Sequence, residues 1–421
     1  MRLMIVGGGG REHVLAEAAT RSPRVDHLIC APGNAGTSAI AENITIDPTN
    51  IDGIIATAKD HAVDLIIVGP EAPLCAGIVD RAAAEGLRIF GPTAAAARIE
   101  GDKSYAKDLM RKCNIPTAEG RSFTRVADAK RYVATRDTPQ VVKASGLAAG
   151  KGVVVCDDPA DALNVLDDMM VAQRFGEAGE TVVVEERLRG TELSVLALVD
   201  GRTIYVLETA QDHKALNDGD QGPNTGGMGA FSPSPLATPE VMHIIDGEIL
   251  VPIVDGLRTE GAPYRGVLYA GIMLTPGGPK VLEFNCRFGD PEAQAVLHRL
   301  RSDLIEAIEA TVDGRLDSVE LEWDPRPALC VVMASSGYPE AYEKGKLITG
   351  LEDATALEDV KVYHAGTRRV ETDVVTNGGR VLGVTASGDT IAQARDRAYS
   401  AVDRIHFDNA HYRRDIGQPA E

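Results

Sequence analysis

The chain has 421 residues, 44% of them hydrophobic and 25% charged, which is too long for one core and ordinary for a globular protein. Its formal net charge of −19 excludes a broad nucleic-acid-binding face, which needs a basic field, but leaves room for small anions where lysine, arginine and backbone N–H groups converge. Six scattered cysteines without a C-x-x-C pair, and no apolar run of membrane-spanning length, lead us to expect a reducing, cytoplasmic setting with no zinc site and no membrane partner.

Residues 3–6 read as a first strand, followed by Gly7-Gly8-Gly9-Gly10 and a helix starting near Arg11 with Glu12 and His13. A strand, glycine turn and helix start in succession make a nest for an anion. Further strands are expected at 25–30, 65–68 and 88–90, with helices at 51–59 and 74–85, so residues 1–101 form an open parallel α/β domain. The loops 31–37 and 69–74 follow two strand ends, where such sheets bind ligands. A dinucleotide fold competes with this reading, but the first loop lacks a clean G-x-G-x-x-G with a well-placed ribose acid.

A second unit begins near Gly101, where Asp102-Lys103-Ser104-Tyr105 opens a helix that stops before Asn114-Ile115-Pro116. Residues 122–190 read as a small unit with a helix from Ala127, strands at 140–143, 152–156 and 181–185, and a helix at 159–171. A longer unit runs from Glu192 to near residue 325, with strands at 193–199 and 203–208 and a helix after Pro291. Its segment 211–235 is rich in glycine and proline, too polar for a core and too long for an idle connection, and is expected to be a binding loop. Residues 326–421 form a last, small α/β unit, with strands at 328–334, 361–365 and 380–386 and a helix at 390–405.

The strongest chemical signal is Val281-Leu282-Glu283-Phe284-Asn285-Cys286-Arg287. The two-residue period of a strand sends Glu283, Asn285 and Arg287 to one face and Leu282, Phe284 and Cys286 into a core behind them. Carboxylate and amide oxygens suit magnesium, and a guanidinium beside them suits a carboxylate or a migrating phosphoryl group; an internal salt bridge is the plainer alternative. A second signal is the loop from Lys143 to Gly152, containing Gly150 and Lys151, whose N–H groups and lysines can cradle phosphates. It continues as a strand, so it is no Walker loop, and a surface loop with incidental lysines is the alternative. Glu185 ends a strand at a unit boundary, a natural cleft for adenine, while Glu192 either accepts from ribose hydroxyls or is a solvated acid. His213 either touches substrate or does not, His13 is a ligand or a local packing residue, and Cys286 points away from the polar face.

Lys103, the Lys143–Gly152 loop, Glu185, Glu192 and the strand through Arg287 together resemble the ATP-grasp ligases, in which two α+β units clamp ATP. The closer resemblance, over almost the whole chain, is to the phosphoribosylamine–glycine ligase family. It is carried by Gly9-Gly10-Arg11-Glu12-His13, residues 32–37 and 68–74, Gln211-Asp212-His213-Lys214, residues 222–230 and 285–292, His364-Ala365-Gly366-Thr367 and residues 375–380. The resemblance implies an ATP-grasp core of residues 102–121 and 191–325 with a mobile lid, 122–190. It implies ATP and Mg²⁺, with Mn²⁺ able to substitute, as cofactors. Its partners are glycine and 5-phospho-D-ribosylamine, bound by a monomer in transient contact with neighbouring purine-pathway enzymes. Lys103, Lys143, Gly150, Lys151, Glu185, Leu188 and Glu192 would hold the nucleotide, and Glu283 and Asn285 the metal. Gly10, Arg11, Asn34, Gly36, Glu71, Asp212, Lys214, Gly229 and Arg287 would face the substrates, with Arg287, Asp212 and Lys143 acting in catalysis. Gly8 and Ser145 depart from the family's usual Asn and Asp. Another ATP-grasp carboxylate–amine ligase, a formate-using purine enzyme and a non-catalytic nucleotide-binding scaffold are the rival functions.

Overall fold

Four short apolar runs and one edge pair become a parallel sheet in the computed structural model, which describes residues 1–148 and 150–418. Its strand order is Glu42–Asn43, His27–Pro32, Arg2–Gly7, Leu65–Val68, Ile89–Phe90, and every neighbouring pair is parallel. The chain leaves the central strand in one direction and returns on its other side, so the crevice between Gly7 and Val68 is the switch point where such sheets bind ligands. The helix Gly10–Arg21 follows the first strand as expected. The single helix expected over 74–85 is instead two, Glu71–Cys75 and Ile78–Ala84, because Gly77 between them takes φ +89°, outside helical geometry.

The central sheet is antiparallel in the order Ile204–Val206, Thr191–Asp200, Arg265–Thr275, Gly278–Asn285. A smaller sheet, also antiparallel, runs Gly120–Phe123, Val182–Glu186, Gln140–Ala144, Val153–Cys156. A third sheet joins Gln211–Asp212, Gly229–Ser232, Ala328–Ala334, Arg380–Ser387 and Val360–His364. The segment expected as one irregular loop, 211–235, is therefore partly strand. Gly229–Ser232 pairs with Ala328–Ala334, and Ala215–Asn217 forms a small hairpin with Gln221–Asn224. Glycine and proline hid these strands from the periodicity: Gly229–Ser232 takes its pairing from a distant strand, and the two hairpin strands are only three and four residues long.

The parallel and central sheets share one apolar cluster, in which Met4, Val6 and Ile66 pack with Leu193, Val195 and Phe284. The smaller sheet has its own cluster, built on Ala129, Val142, Leu166, Val182 and Val184. Among the described residues no helix is long and apolar enough to cross a membrane.

Candidate active site

A cleft of about 2190 Å³ opens where these units meet. Arg11 and Glu71 line it from the parallel sheet's unit, Lys143, Gly150 and Glu185 from the smaller sheet's unit, Glu283, Asn285 and Arg287 from the central sheet, and Arg380 from the C-terminal sheet. Lys103, Leu188, Glu192, Asp212 and Lys214 complete the wall among the expected site residues.

The strand Gly278–Asn285 presents its polar side chains through a bulge. Gly271 pairs with Glu283 but Ile272 pairs with Val281, so Leu282 is an extra residue that breaks the alternation. Leu282, expected in the core, lines the cleft instead, and Val281 joins Phe284 and Cys286 in the core. Glu283 lies 3.9 Å from Lys214 Nζ, which also pairs with Glu192 at 2.8 Å. Glu192 is thus a half-exposed acid paired with Lys214 at the cleft wall. Burial disfavours the Glu283 charge, yet Lys214, Lys103, Lys143 and Arg287 outweigh it and hold its pKa below the usual range. Lys214 is likewise held cationic, burial being outweighed by Glu192, Glu283 and Asp212.

Arg287 is fixed by two carboxylates. Its Nε lies 3.2 Å from Glu71 Oε2 and an Nη lies 2.8 Å from Glu100 Oε1, while the same Nη donates to Asn285 Oδ1 at 3.2 Å. Burial opposes ionisation of Glu71, but Arg287 and Arg11 bring its pKa down to about 2. Glu100 also accepts from the Cys286 N–H at 2.6 Å, and burial pushes its pKa up despite Arg287. Glu100 escaped the sequence reading because its helix, Ala94–Gly101, was not expected; its alanine run carries little amphipathic signal.

Toward the glycine loop, Glu185 accepts from Lys107 Nζ at 2.8 Å and Lys143 Nζ at 2.9 Å, and all three side chains are buried. Lys107 was also missed, although it lies four residues after Lys103 on the helix Lys103–Lys112 and so shares its face. Lys103 Nζ is 3.4 Å from the Gly146 carbonyl. Ser145 donates to Asp102 Oδ1 at 2.9 Å and accepts from the Ser104 N–H at 2.9 Å, tying the glycine loop to the helix start. An aspartate here would set a second carboxylate against Asp102, so the serine suits its place. Lys151 is exposed and off the cleft wall, while Gly150, at φ +77°, comes near the Thr225 carbonyl; Ala149 lies outside the described residues.

The expected anion nest is largely satisfied from within the chain. Gly9 N–H donates to Glu12 Oε2 at 2.5 Å and Arg11 N–H to Asp290 Oδ2 at 3.3 Å, while Arg11, which lines the cleft, pairs its guanidinium with Glu12 Oε1 at 2.8 Å and the Phe288 carbonyl at 3.0 Å. Gly10, Asn34, Gly36 and Gly229 are buried and do not line it. Asn34 Nδ2 donates to the Gly8 and His364 carbonyls at 3.0 and 2.8 Å, and its Oδ1 accepts from Gly36 N–H at 2.9 Å. A Cβ on Gly8 would sit 2.5 Å from the Gly33 carbonyl oxygen, so glycine there permits the two loops to touch. His13 accepts the His364 N–H at 2.7 Å on Nδ1, and burial lowers its pKa to about 4, which fits a neutral packing residue. His213 lines the cleft, its Nδ1 buried without a partner among the described residues.

Asp212 holds a buried Oδ1 with no described partner, and burial together with Glu292 raises its pKa well above the usual range. Arg380, named in the sequence only as part of the 375–380 motif, braces the loop opposite by donating to the Gly226 and Asp290 carbonyls at 2.5 and 2.6 Å. Among the described residues no group of three or more His, Cys, Asp or Glu side chains is placed to hold a metal ion. Glu283 and Asn285 therefore offer two protein oxygens, a set that fits magnesium, which retains waters and takes its remaining oxygens from a nucleotide.

Models of the phosphoribosylglycinamide synthetase N domain, ATP-grasp (A) domain and C domain match residues 1–100, 101–293 and 328–419. A phosphoribosylamine–glycine ligase of Rhodopirellula baltica is 53% identical over 425 residues, covering 99% of this chain and 97% of that protein. The crystal structure of the Thermotoga maritima phosphoribosylamine–glycine ligase superposes with a TM-score of 0.85 at 34% identity, covering 99% of this chain and 100% of that one. The biotin carboxylase domain of the Hydrogenobacter thermophilus 2-oxoglutarate carboxylase, solved with MgADP and bicarbonate, shares the fold at a TM-score of 0.76 and 16% identity, covering 98% of this chain and 91% of that one. With all three of its domain models matched in order and a relative at this identity across its length, the chain belongs to the phosphoribosylamine–glycine ligase family.

Proposed function

We propose that the chain uses ATP to join glycine to 5-phospho-D-ribosylamine, giving N1-(5-phospho-D-ribosyl)glycinamide, ADP and phosphate, a step of purine biosynthesis. The observation that carries this reading is that one cleft brings together the lid lysine Lys143, the Glu283–Asn285 oxygens, Lys214 and the doubly anchored Arg287. Carboxylates are poor acyl donors, so the glycine carboxylate attacks the γ-phosphoryl group and leaves ADP; the ribosylamine nitrogen then attacks the carbonyl of glycyl phosphate and expels phosphate. Lys103 and Lys143 neutralise the nucleotide phosphates, Glu185 and Leu188 border the adenine, and Glu192 takes the ribose. Mg²⁺, or Mn²⁺ in its place, would be held by Glu283 and Asn285 and would neutralise charge on the phosphates.

Arg287 faces the forming acyl phosphate, held still by Glu71 and Glu100 so that little reorganisation is needed. The buried, unpartnered Oδ1 of Asp212 suits the ammonium of glycine. Arg11 supplies positive charge on the ribosylamine side, where Glu71, Gly10, Asn34, Gly36 and Gly229 shape the wall or the packing behind it. No protein nucleophile is required, and an amine that arrives uncharged needs no general base. The lid, residues 122–190, has a separate apolar cluster, as a piece that closes over ATP should. Residues 1–101 form the ribosylamine side, 102–121 with 191–325 the ATP-grasp core, and 326–421 the C-terminal unit.

The test is ADP release with each substrate omitted in turn. Full release is expected only with ATP, glycine and ribosylamine together; release supported by formate or by another amine in their place would transfer the chain to a rival ligase activity.

A further inference from the structure

The lid and the helix Lys103–Lys112 meet over a buried chain of three charges whose two lysines are not equivalent. Lys107 Nζ is 2.8 Å from Glu185 Oε1, 2.8 Å from Thr117 Oγ1 and 3.0 Å from the Ala118 carbonyl. An ammonium has three protons, so each has its acceptor. Thr117 in turn donates to the Val281 carbonyl at 2.8 Å, which fastens the arrangement to the strand that carries Glu283. Lys143 Nζ has two acceptors, Glu185 Oε2 at 2.9 Å and the Leu282 carbonyl at 3.0 Å. It therefore has one proton to spare, and it lines the cleft beside the glycine loop.

We propose that Lys107 is a positioning residue for nucleotide binding, a fixed counter-ion that keeps the Glu185 carboxylate paired when Lys143 turns its charge toward a phosphate. The inference rests on the ATP reading above. Glu185 is 5% exposed, and a carboxylate buried to that degree is strongly disfavoured once its cation is taken away. With Lys143 as its sole partner, Glu185 would compete with ATP for that lysine. Lys107 removes the competition: Lys107 and Glu185 together are neutral, and Lys143 carries the surplus charge of the trio. Lys107 cannot itself serve the phosphates without abandoning three acceptors at once. The helix thus divides the work between side chains one turn apart, Lys103 reaching the glycine loop and Lys107 holding Glu185.

The experiment is calorimetric titration of the full-length protein with MgATP, together with the steady-state KM for glycine. Lys107→Met is expected to weaken ATP binding about tenfold or more while leaving the glycine KM within about twofold. In a Glu185→Gln background, where no carboxylate remains to hold Lys143, the same substitution should change ATP affinity by less than about threefold. A purely packing role for Lys107 would give the same loss in both backgrounds. Parent-like ATP affinity in Lys107→Met, or an undiminished loss in the Glu185→Gln background, overturns the inference. Should Lys107→Met alone fail to fold, the second comparison decides, because with Glu185 also neutralised no buried carboxylate is left without a cation. If the parent protein itself does not bind ATP, the nucleotide reading fails and takes this inference with it.

Discussion

Glu283→Gln is expected to bind ATP and to lose turnover on the order of 100-fold, the scale on which one preorganised electrostatic partner of a transition state acts. The substitution keeps the shape of the side chain and removes its charge. Lys214 retains Glu192 at 2.8 Å, so that ion pair on the cleft wall survives, and the direct contacts of Lys103 and Lys143 with Gly146, Glu185 and Leu282 are kept. What is lost is the anionic oxygen that, with Asn285, would hold the metal on the phosphates. Turnover measured against Mg²⁺ concentration at saturating ATP should show a raised metal requirement alongside nearly unchanged ATP binding. Parent-like turnover at limiting Mg²⁺ would remove Glu283 from the metal site.

Arg287→Lys should be nearly as damaging, with kcat down about 100-fold and stability reduced by about 2 kcal/mol for the charge-assisted bonds that go unmade. The guanidinium reaches Glu71, Glu100 and Asn285 from one rigid plane, which an ammonium on a flexible stem cannot reproduce. Glu100 would be the worst placed, being buried with only the Cys286 N–H left to it. Steady-state rates and thermal unfolding measured on the same preparation separate the two effects. Rates within about twofold of the parent at saturating substrates would count against a transition-state role, and a change confined to the glycine KM would place Arg287 in ground-state recognition.

Much of the fold was legible because local signals agreed with it. Asp102 and Thr390 cap the helices they were expected to open, each accepting from a backbone N–H three residues on, and the apolar run 328–334 is the strand Ala328–Ala334. The polar face of Glu283 and Asn285 was legible from period-two alternation, but Leu282 was not. Its bulge depends on how Arg265–Thr275 lies alongside, and that strand, a long apolar run, was not read from the sequence. Lys143, Glu185, Glu192 and Lys214 were identified singly, whereas their pairing was invisible, since it joins residues far apart in the chain. Lys107 was missed and Arg380 was left without a role for the same reason: each neutralises or braces a group that the sequence places elsewhere. The glycine turn after the first strand promised an anion nest, yet Glu12 and Asp290 occupy two of its N–H groups, and only the folded chain shows those carboxylates arriving.

The central claim is that glycine is activated as glycyl phosphate, and the measurement that addresses it most directly is mass spectrometry of the phosphate released from glycine labelled with ¹⁸O in its carboxylate. Attack of that carboxylate on the γ-phosphoryl group, followed by displacement by the ribosylamine nitrogen, carries one labelled oxygen into inorganic phosphate for every amide bond formed. Unlabelled phosphate accompanying normal product formation would exclude glycyl phosphate, and label recovered in AMP would show adenylation in its place, contradicting a γ-phosphoryl transfer served by Lys143, Glu283 and Arg287.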